Sequence, residues 1–342
     1  GNDILDTNQG EEILNALLNL CTLVQHGSTG SVSIYPPREH CNSQGVNDMG
    51  CTPEFLPGYQ PIKDSSASGD TDLFQNCIDG KLKFLFIAGE DPLQSYYKPQ
   101  LVKEALRTVP FLVVTDVFMT DTARMADLVL PSSTFAEKDG TYTNMSRHVQ
   151  RVAAAVIPQG LSKPDFDILI ELASALGKPF QNTDIASVQQ EIENVTPAYK
   201  GVFPGNKSVQ WKPDSANTNP RFHTNSTSAE QNGGAEGYPF TLQTNNHMFH
   251  IGSYSQYAKA LVDIGPECIA ELHPDDAKGL GISSGDSIVV ESPEGKVEVK
   301  VKTSKVTSRG MLYIPKNWTT VPVNTLRNGE EGLINVKISK AG

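Results

Sequence analysis

The chain has 342 residues, 38% of them hydrophobic, and 28 Lys+Arg against 39 Asp+Glu leave a net charge of −11. That length accommodates two domains with separate cores, at the usual ~100–200 residues per domain. The acidic balance, without a clustered basic face interleaved with aromatics, argues against nucleic acid as a partner, because phosphate backbones demand neutralising cations.

Gly1 to Glu12 is polar and has no basic stretch leading into an apolar one, so no secretory signal is expected and a reducing, cytoplasmic setting fits. Glu11 to Val24 carries Ile13, Leu14, Leu17, Leu18, Leu20 and Leu23 at helical spacing, which predicts a helix covering a sheet. Its longest apolar run, Ala16 to Val24, is broken by Asn19 and Thr22 and is far short of the roughly 20 residues of a bilayer span, so no direct membrane insertion is expected. From His26 to Gln60 the density of Gly and Pro leaves little room for regular structure, and so long a loop is usually functional or a surface excursion. Lys83 to Ala88, Phe111 to Val114 and Leu128 to Leu130 are short apolar runs of the kind that strands buried on both faces present. A helical stretch, Tyr97 to Arg107, separates the first two, and this spacing predicts parallel βαβ units. Asp165 to Leu176 predicts a helix stopped by Gly177 and Pro179.

Residues 200–237 turn polar and rich in Asn, Ser, Thr, Gly and Pro, which predicts a linker or mobile loop. Beyond it, Tyr238 to Thr244, Ser287 to Ser292, Lys296 to Thr303, Met311 to Pro315 and Leu333 to Ile338 predict strands, with a hairpin turn at Pro293-Glu294-Gly295 and a short helix from Pro274 to Leu280. The expected architecture is α/β: a parallel-sheet βαβ domain over 1–199, then a β-rich domain over 238–342. The five cysteines, Cys21, Cys41, Cys51, Cys77 and Cys268, show no C-x-x-C pair, so this segment is expected to hold neither an iron–sulfur cluster nor zinc, and free thiols are favoured over disulfides.

Chemistry concentrates at two places. The strand ending in Gly89-Glu90-Asp91-Pro92 sets a glycine and two carboxylates at the carboxyl end of a parallel sheet, where open α/β sheets bind nucleotides. Asp116, Thr120 and Thr122, just past the next strand, add acceptors and hydroxyls to the same edge. Glu90 and Asp91 suit a guanine edge or a ribose, whereas for Asp116 and Thr120 helix capping after a strand is the reading the residues alone favour, with Asp116 expected as an exposed strand-end residue. His247 and His250, three apart, lack a third ligand at helical spacing, so a metal there is not expected.

Several short motifs follow one another in order: Pro37-Arg38 into Asn42-Ser43-Gln44-Gly45-Val46-Asn47-Asp48-Met49-Gly50, Pro57-Gly58-Tyr59, Gly89 to Pro92, Asp116 to Ala123, Ala126 to Pro131, Glu137 to Asn144 with Arg147 and Gln150, and His273 to Gly285-Asp286. Together they resemble the molybdopterin oxidoreductases, which include formate dehydrogenases, nitrate reductases and the large iron–sulfur subunit of NADH:quinone oxidoreductase. The stretch Met248 to Ser255 is most similar to that last subunit. The resemblance implies a double-psi β-barrel at the end of the chain. It also implies cofactor contacts at Gly89, Glu90, Asp91, Asp116, Thr120, Thr122 and Asn324, and a place for Arg38 beside a metal-bound substrate. Glu137 to Asn144 reads either as a pterin-holding turn or as a structural turn at Asp139-Gly140, the latter preferred. Asn245-Asn246 and the short tail from Arg327 to Ser339 depart from cofactor-bearing members.

On that basis the first reading is a scaffold region of an NADH:quinone oxidoreductase large subunit, not catalytic alone and without a cofactor of its own. It would support electron transfer by iron–sulfur clusters carried on a preceding part of a longer protein. Its alternative is part of a molybdenum or tungsten enzyme such as formate dehydrogenase, with molybdopterin guanine dinucleotide in the full-length protein. In either case the expected partners are other subunits of a respiratory or formate- or NADH-linked complex at the cytoplasmic face of the membrane.

Overall fold

The computed structural model describes residues 10–27, 32, 40–52, 55–62, 73–203, 209–210, 222, 237–250, 252–265, 267–327 and 334–342. Arg38 lies outside them, as does most of the linker expected at 200–237. The chain divides into two compact units interleaved along the sequence, Gly1–Leu73 with Leu130–Ser226 and Phe74–Val129 with Thr227–Gly342.

In the second unit, strands β1 (Leu85–Ala88) and β2 (Leu112–Asp116) pair in parallel, Leu85 beside Leu112 and Ala88 beside Thr115. With β3 (Leu128–Pro131) they form a three-stranded sheet in the order β1-β2-β3. The crossover between β1 and β2 is the helix Pro99–Thr108. Proline opens it, where no backbone donor is needed, and Val109 ends it in an extended conformation ahead of Pro110. Val102, Ala105 and Leu106 lie on one face at i, i+3 and i+4 and pack with Cys77, Leu112 and Val114. The continuous apolar runs predict burial on both faces for every strand, yet only β2 is buried along its whole length. In β1 only Leu85 is buried and the preceding Phe84 is 50% exposed, because β1 ends the described sheet while β2 is its middle strand.

The first unit contains the helix Gly10–Gly27, as the periodicity predicts; among the described residues its apolar stripe is only partly buried, with Leu20 and Leu23 more than half exposed. The glycine- and proline-rich stretch that promises little regular structure holds a helix, Ser43–Asp48. It is tied one turn along by Gln44 Nε2 donating to Asp48 Oδ1 at 2.8 Å. Gly50, at φ +72, follows it, and a side chain there would come within 2.5 Å of the Leu56 carbonyl carbon. The turn expected at Asp139-Gly140 is instead the start of β4 (Gly140–Thr143), paired antiparallel with β5 (His148–Val152). The reversal falls later: Asn144 Oδ1 accepts from the Ser146 and His148 amides, and Arg147 takes φ +63. Val209–Gln210, β6, adds to β5.

Six strands close a barrel in the second unit: β7 (Phe240–Asn245), β8 (Ile269–Leu272), β9 (Ser287–Glu291), β10 (Lys296–Thr303), β11 (Met311–Pro315) and β12 (Ile334–Lys340), in the order β8-β10-β9-β12-β7-β11. β8 with β10 and β7 with β11 are parallel; the remaining pairs are antiparallel. This is a closed mixed barrel of double-psi-like arrangement. Strict alternation fills it: Ile288 and Val290, Val297, Val299 and Val301, and Leu312 and Ile314 all point into one core. Because Leu312 is fully buried there, Leu312→Ala should cost about 2–5 kcal/mol in denaturant unfolding, whereas Val306→Ala, at a 91% exposed loop position, should stay within about 0.5 kcal/mol.

Candidate nucleotide-binding site

The carboxyl ends of β1 and β2 in the second unit gather the site residues the sequence suggests on either side of them. Gly89 leaves β1 at φ +65, exposed, and among the described residues only the Tyr254 hydroxyl, 3.9 Å away, comes near where its Cβ would sit. A ligand can therefore approach the backbone here as it could not approach a larger residue. Glu90 is exposed, while Asp91 turns inward and is 3% exposed. Asp91 Oδ1 accepts from the Thr122 hydroxyl at 2.6 Å and from the Thr122 amide at 3.2 Å. Burial, with Asp121 and Asp116 adding to it, pushes the Asp91 carboxyl above its ordinary value of 3.8, despite the opposing bonds from Thr122. Thr120 accepts from the Ala123 amide at 3.1 Å, a local cap on the turn that follows. Both threonines are buried and engaged within the protein, Thr122 bracing Asp91 and Thr120 the turn.

Asp116 differs from the expectation of an exposed strand-end residue: it is 3% exposed. The cause is the segment Ser253–Tyr257, which packs over the end of β2. Asp116 Oδ1 accepts from the Val117 amide at 2.6 Å, the Phe118 amide at 3.3 Å and the Tyr254 hydroxyl at 2.9 Å. Asp116 Oδ2 is buried and has no hydrogen-bond partner among the described residues. A buried polar atom without a hydrogen bond is costly, and Asp116 Oδ2 is such an atom. Phe118 stacks on Tyr257, centroids 4.2 Å apart at 13°, and meets Tyr254 edge-on at 5.5 Å. The sequence assigns neither tyrosine a place at this edge. Tyr254 stands 138 residues from Asp116 in a stretch that carries only a family likeness, and the fold alone brings the two together.

Asn324 belongs to the same unit and closes on the same loop: its amide nitrogen donates to the carbonyls of Gln94 and Ser95, at 2.9 and 3.1 Å, in the short helix Pro92–Ser95 that follows Asp91. Any ligand contact by Asn324 falls to its oxygen. His250 is not available as a metal ligand pair with His247, because its two ring nitrogens face the Asn317 carbonyl at 2.6 Å and the Ser255 hydroxyl at 2.9 Å. Burial in the barrel core pushes the Cys268 thiol up to about 12, which disfavours the reactive thiolate.

In the first unit, the motif residues Gln44, Asp48 and Tyr59 converge. Asp48 is fully buried and accepts from Tyr59 and Gln44 on one oxygen and from Tyr199 on the other, at 2.8 to 2.9 Å. Arg147 stands 3.8 Å from it. Glu137 braces a turn, accepting from the Thr134 and Gln159 amides, which lowers its carboxyl.

A family model described as molybdopterin oxidoreductase matches residues 1–175, and one described as molydopterin dinucleotide binding domain matches residues 240–338. The chain belongs to the molybdopterin oxidoreductase family. It is 33% identical to the F420-dependent formate dehydrogenase subunit alpha of Methanocaldococcus jannaschii, over 93% of this chain and 53% of that protein. It is 30% identical to the NADPH-Fe(3+) oxidoreductase subunit alpha of Geobacter sulfurreducens, over 96% of this chain and 40% of that one. It is 29% identical to an NADH-quinone oxidoreductase subunit of Rhizobium meliloti, again over 96% and 40%. The chain thus spans about half or less of the length of these curated relatives. The acetylene hydratase of Pelobacter acetylenicus shares the fold, with a TM-score of 0.61 at 21% identity over 88% of this chain and 51% of that one.

Because the Asp91 carboxyl is raised in the folded state, its contribution to stability is fully present below the ordinary value of 3.8 and is lost as pH rises through the higher folded value. Asp91→Asn keeps an acceptor for Thr122 and removes the titration, so the variant should gain in stability relative to the parent between pH 4 and pH 7.5, read by urea unfolding at both. A difference independent of pH would remove the burial account.

Proposed function

We propose that this chain is the nucleotide-holding part of a molybdenum- or tungsten-dependent oxidoreductase of the formate dehydrogenase kind, with a pterin guanine dinucleotide as its cofactor. The observation that carries the proposal is the orphaned Asp116 oxygen at the end of a parallel strand, in a chain of the molybdopterin oxidoreductase family. Guanine offers adjacent N–H donors on one edge, which is what a lone buried carboxylate oxygen accepts. Asp116 would take that edge, the exposed Glu90 a ribose hydroxyl, Gly89 the close backbone approach, and the Asn324 oxygen a donor of the cofactor. Asp91, Thr120 and Thr122 hold this edge in shape. The concentration of carboxylates here repels phosphate, so the base end of the dinucleotide belongs at this edge.

When bound, the pterin-held metal supplies two-electron redox chemistry, and the chain supplies binding and orientation. Arg38, assigned by its motif alone, would orient a small carboxylate substrate with its two-pronged guanidinium. Iron–sulfur clusters and partner subunits of a formate- or NADH-linked complex belong to this reading through the relatives' greater length. A second reading, a cofactor-free scaffold in an NADH:quinone oxidoreductase, is the one the sequence pattern puts first and is favoured by the likeness to the Rhizobium meliloti protein. The orphaned oxygen and the greater identity to a formate dehydrogenase subunit favour the first.

Elemental analysis of the full-length native protein, with guanine nucleotide released by acid hydrolysis, separates the two. Near-stoichiometric molybdenum or tungsten together with guanine nucleotide is the expected result. Neither above background would replace the catalyst with the scaffold.

A further inference from the structure

We infer that Tyr257 is the stacking residue for the planar ring whose edge Asp116 takes, and that Tyr254 is the positioning residue that leaves Asp116 Oδ2 as the reading oxygen. The inference rests on the nucleotide reading of this edge and adds to it two residues to which the sequence gives no role.

An edge acceptor alone selects weakly, because a flat base also needs a surface for its face. The segment over the end of β2 offers one such surface. Phe118, two residues beyond Asp116, lies nearly parallel to Tyr257 at 4.2 Å, and Tyr257 remains 43% exposed. Phe118 thus backs one face of the tyrosine, and a planar ring seated on the other face would extend the stack. Burial is the largest cause of the raised Tyr257 hydroxyl; the carboxylates Asp91, Asp121 and Asp116 add to it, while Arg124 opposes them. The Tyr257 hydroxyl therefore feels the charge of Asp116, the carboxylate that would read the edge.

Tyr254 acts on the carboxylate itself. Its hydroxyl and two backbone amides all donate to Oδ1, so the three bonds fix the carboxylate rotamer and leave Oδ2 alone to accept. Phe118 meets the Tyr254 ring edge-on at 5.5 Å and the Tyr257 ring face-on, so one phenylalanine sets the spacing between the edge reader and the face. A ring presenting adjacent amino and ring N–H donors fits both. Guanine and the pterin itself share that 2-amino-4-oxopyrimidine edge, whereas adenine places an acceptor beside its amino group.

The test is calorimetric titration of the 342-residue chain with GDP, IDP, XDP, ADP and 6-hydroxymethylpterin. GDP or the pterin should bind, with GDP favoured over IDP and ADP not binding; which of the two binds distinguishes base from pterin. Tyr257→Ala should weaken binding about tenfold and Tyr257→Phe should restore it, since the face and not the hydroxyl is used. Asp116→Asn should shift preference from GDP towards XDP, whose 2-oxo group accepts from the amide. Tyr254→Phe should narrow the GDP-over-IDP ratio while leaving the far-ultraviolet spectrum unchanged. Tyr257→Ala binding as tightly as the parent, or an unchanged GDP-over-IDP ratio in Tyr254→Phe, overturns the assignment, as does the absence of binding by every ligand. Metal and guanine present in the native protein alongside insensitive variants would sink this inference alone; binding with these sensitivities but no metal would sink the oxidoreductase reading alone.

Discussion

The second unit is organised around two carboxylates, Asp91 and Asp116, carried out of water at the ends of adjacent parallel strands. Polar groups in such a place must be held by hydrogen bonds, and each is held on one oxygen: Asp91 by the amide and hydroxyl of Thr122, Asp116 by two amides and Tyr254. These bonds reach from strand ends to the turn Ala123–Met125 and to the segment Ser253–Tyr257, so the geometry of the loops is set by what the carboxylates require. The asymmetry at Asp116, one oxygen with three donors and the other with none among the described residues, is what the proposed reading of a ligand edge rests on.

The fold makes that asymmetry possible. Parallel pairing of β1 with β2 brings both strand ends to one edge, which the βαβ crossover through Pro99–Thr108 leaves to be covered by Ser253–Tyr257. The barrel strands are sealed by their own alternating core, and the segment after β7 supplies Tyr254 and Tyr257. Asn324, in the turn Val323–Leu326, ties the helix Pro92–Ser95 in place. Residues from widely separated parts of the chain therefore serve one edge, which a short motif cannot encode by itself.

Much of the architecture was legible because local pattern and burial agree. The apolar run at Leu112 to Val114, the alternation Lys296 to Thr303 and the spacing of Val102, Ala105 and Leu106 each follow from one periodicity. The misses came where long-range packing decides. Asp116 reads as an exposed strand end because nothing nearby in sequence announces Tyr254. The stretch Glu137 to Asn144 reads as a turn because Asp139-Gly140 is strong turn chemistry, yet pairing with β5 makes Gly140 the first residue of a strand. The helix Ser43–Asp48 is hidden by its surrounding glycines and prolines, and only the Gln44–Asp48 bond and the tyrosines around Asp48 show why it forms. The family was legible from several weak motifs in order. An occupied and a vestigial cofactor edge were not told apart by those motifs, because they do not show that Tyr254 and two amides all bond one oxygen of Asp116.

The most direct measurement is a crystal structure of the full-length native protein at a resolution that orders Asp116. A nitrogen of a planar ring is expected within about 3.2 Å of Asp116 Oδ2, with Tyr254 still on Oδ1. An Oδ2 that instead meets a protein donor or a water, with the nucleotide seated elsewhere or absent, would contradict the reading of this edge.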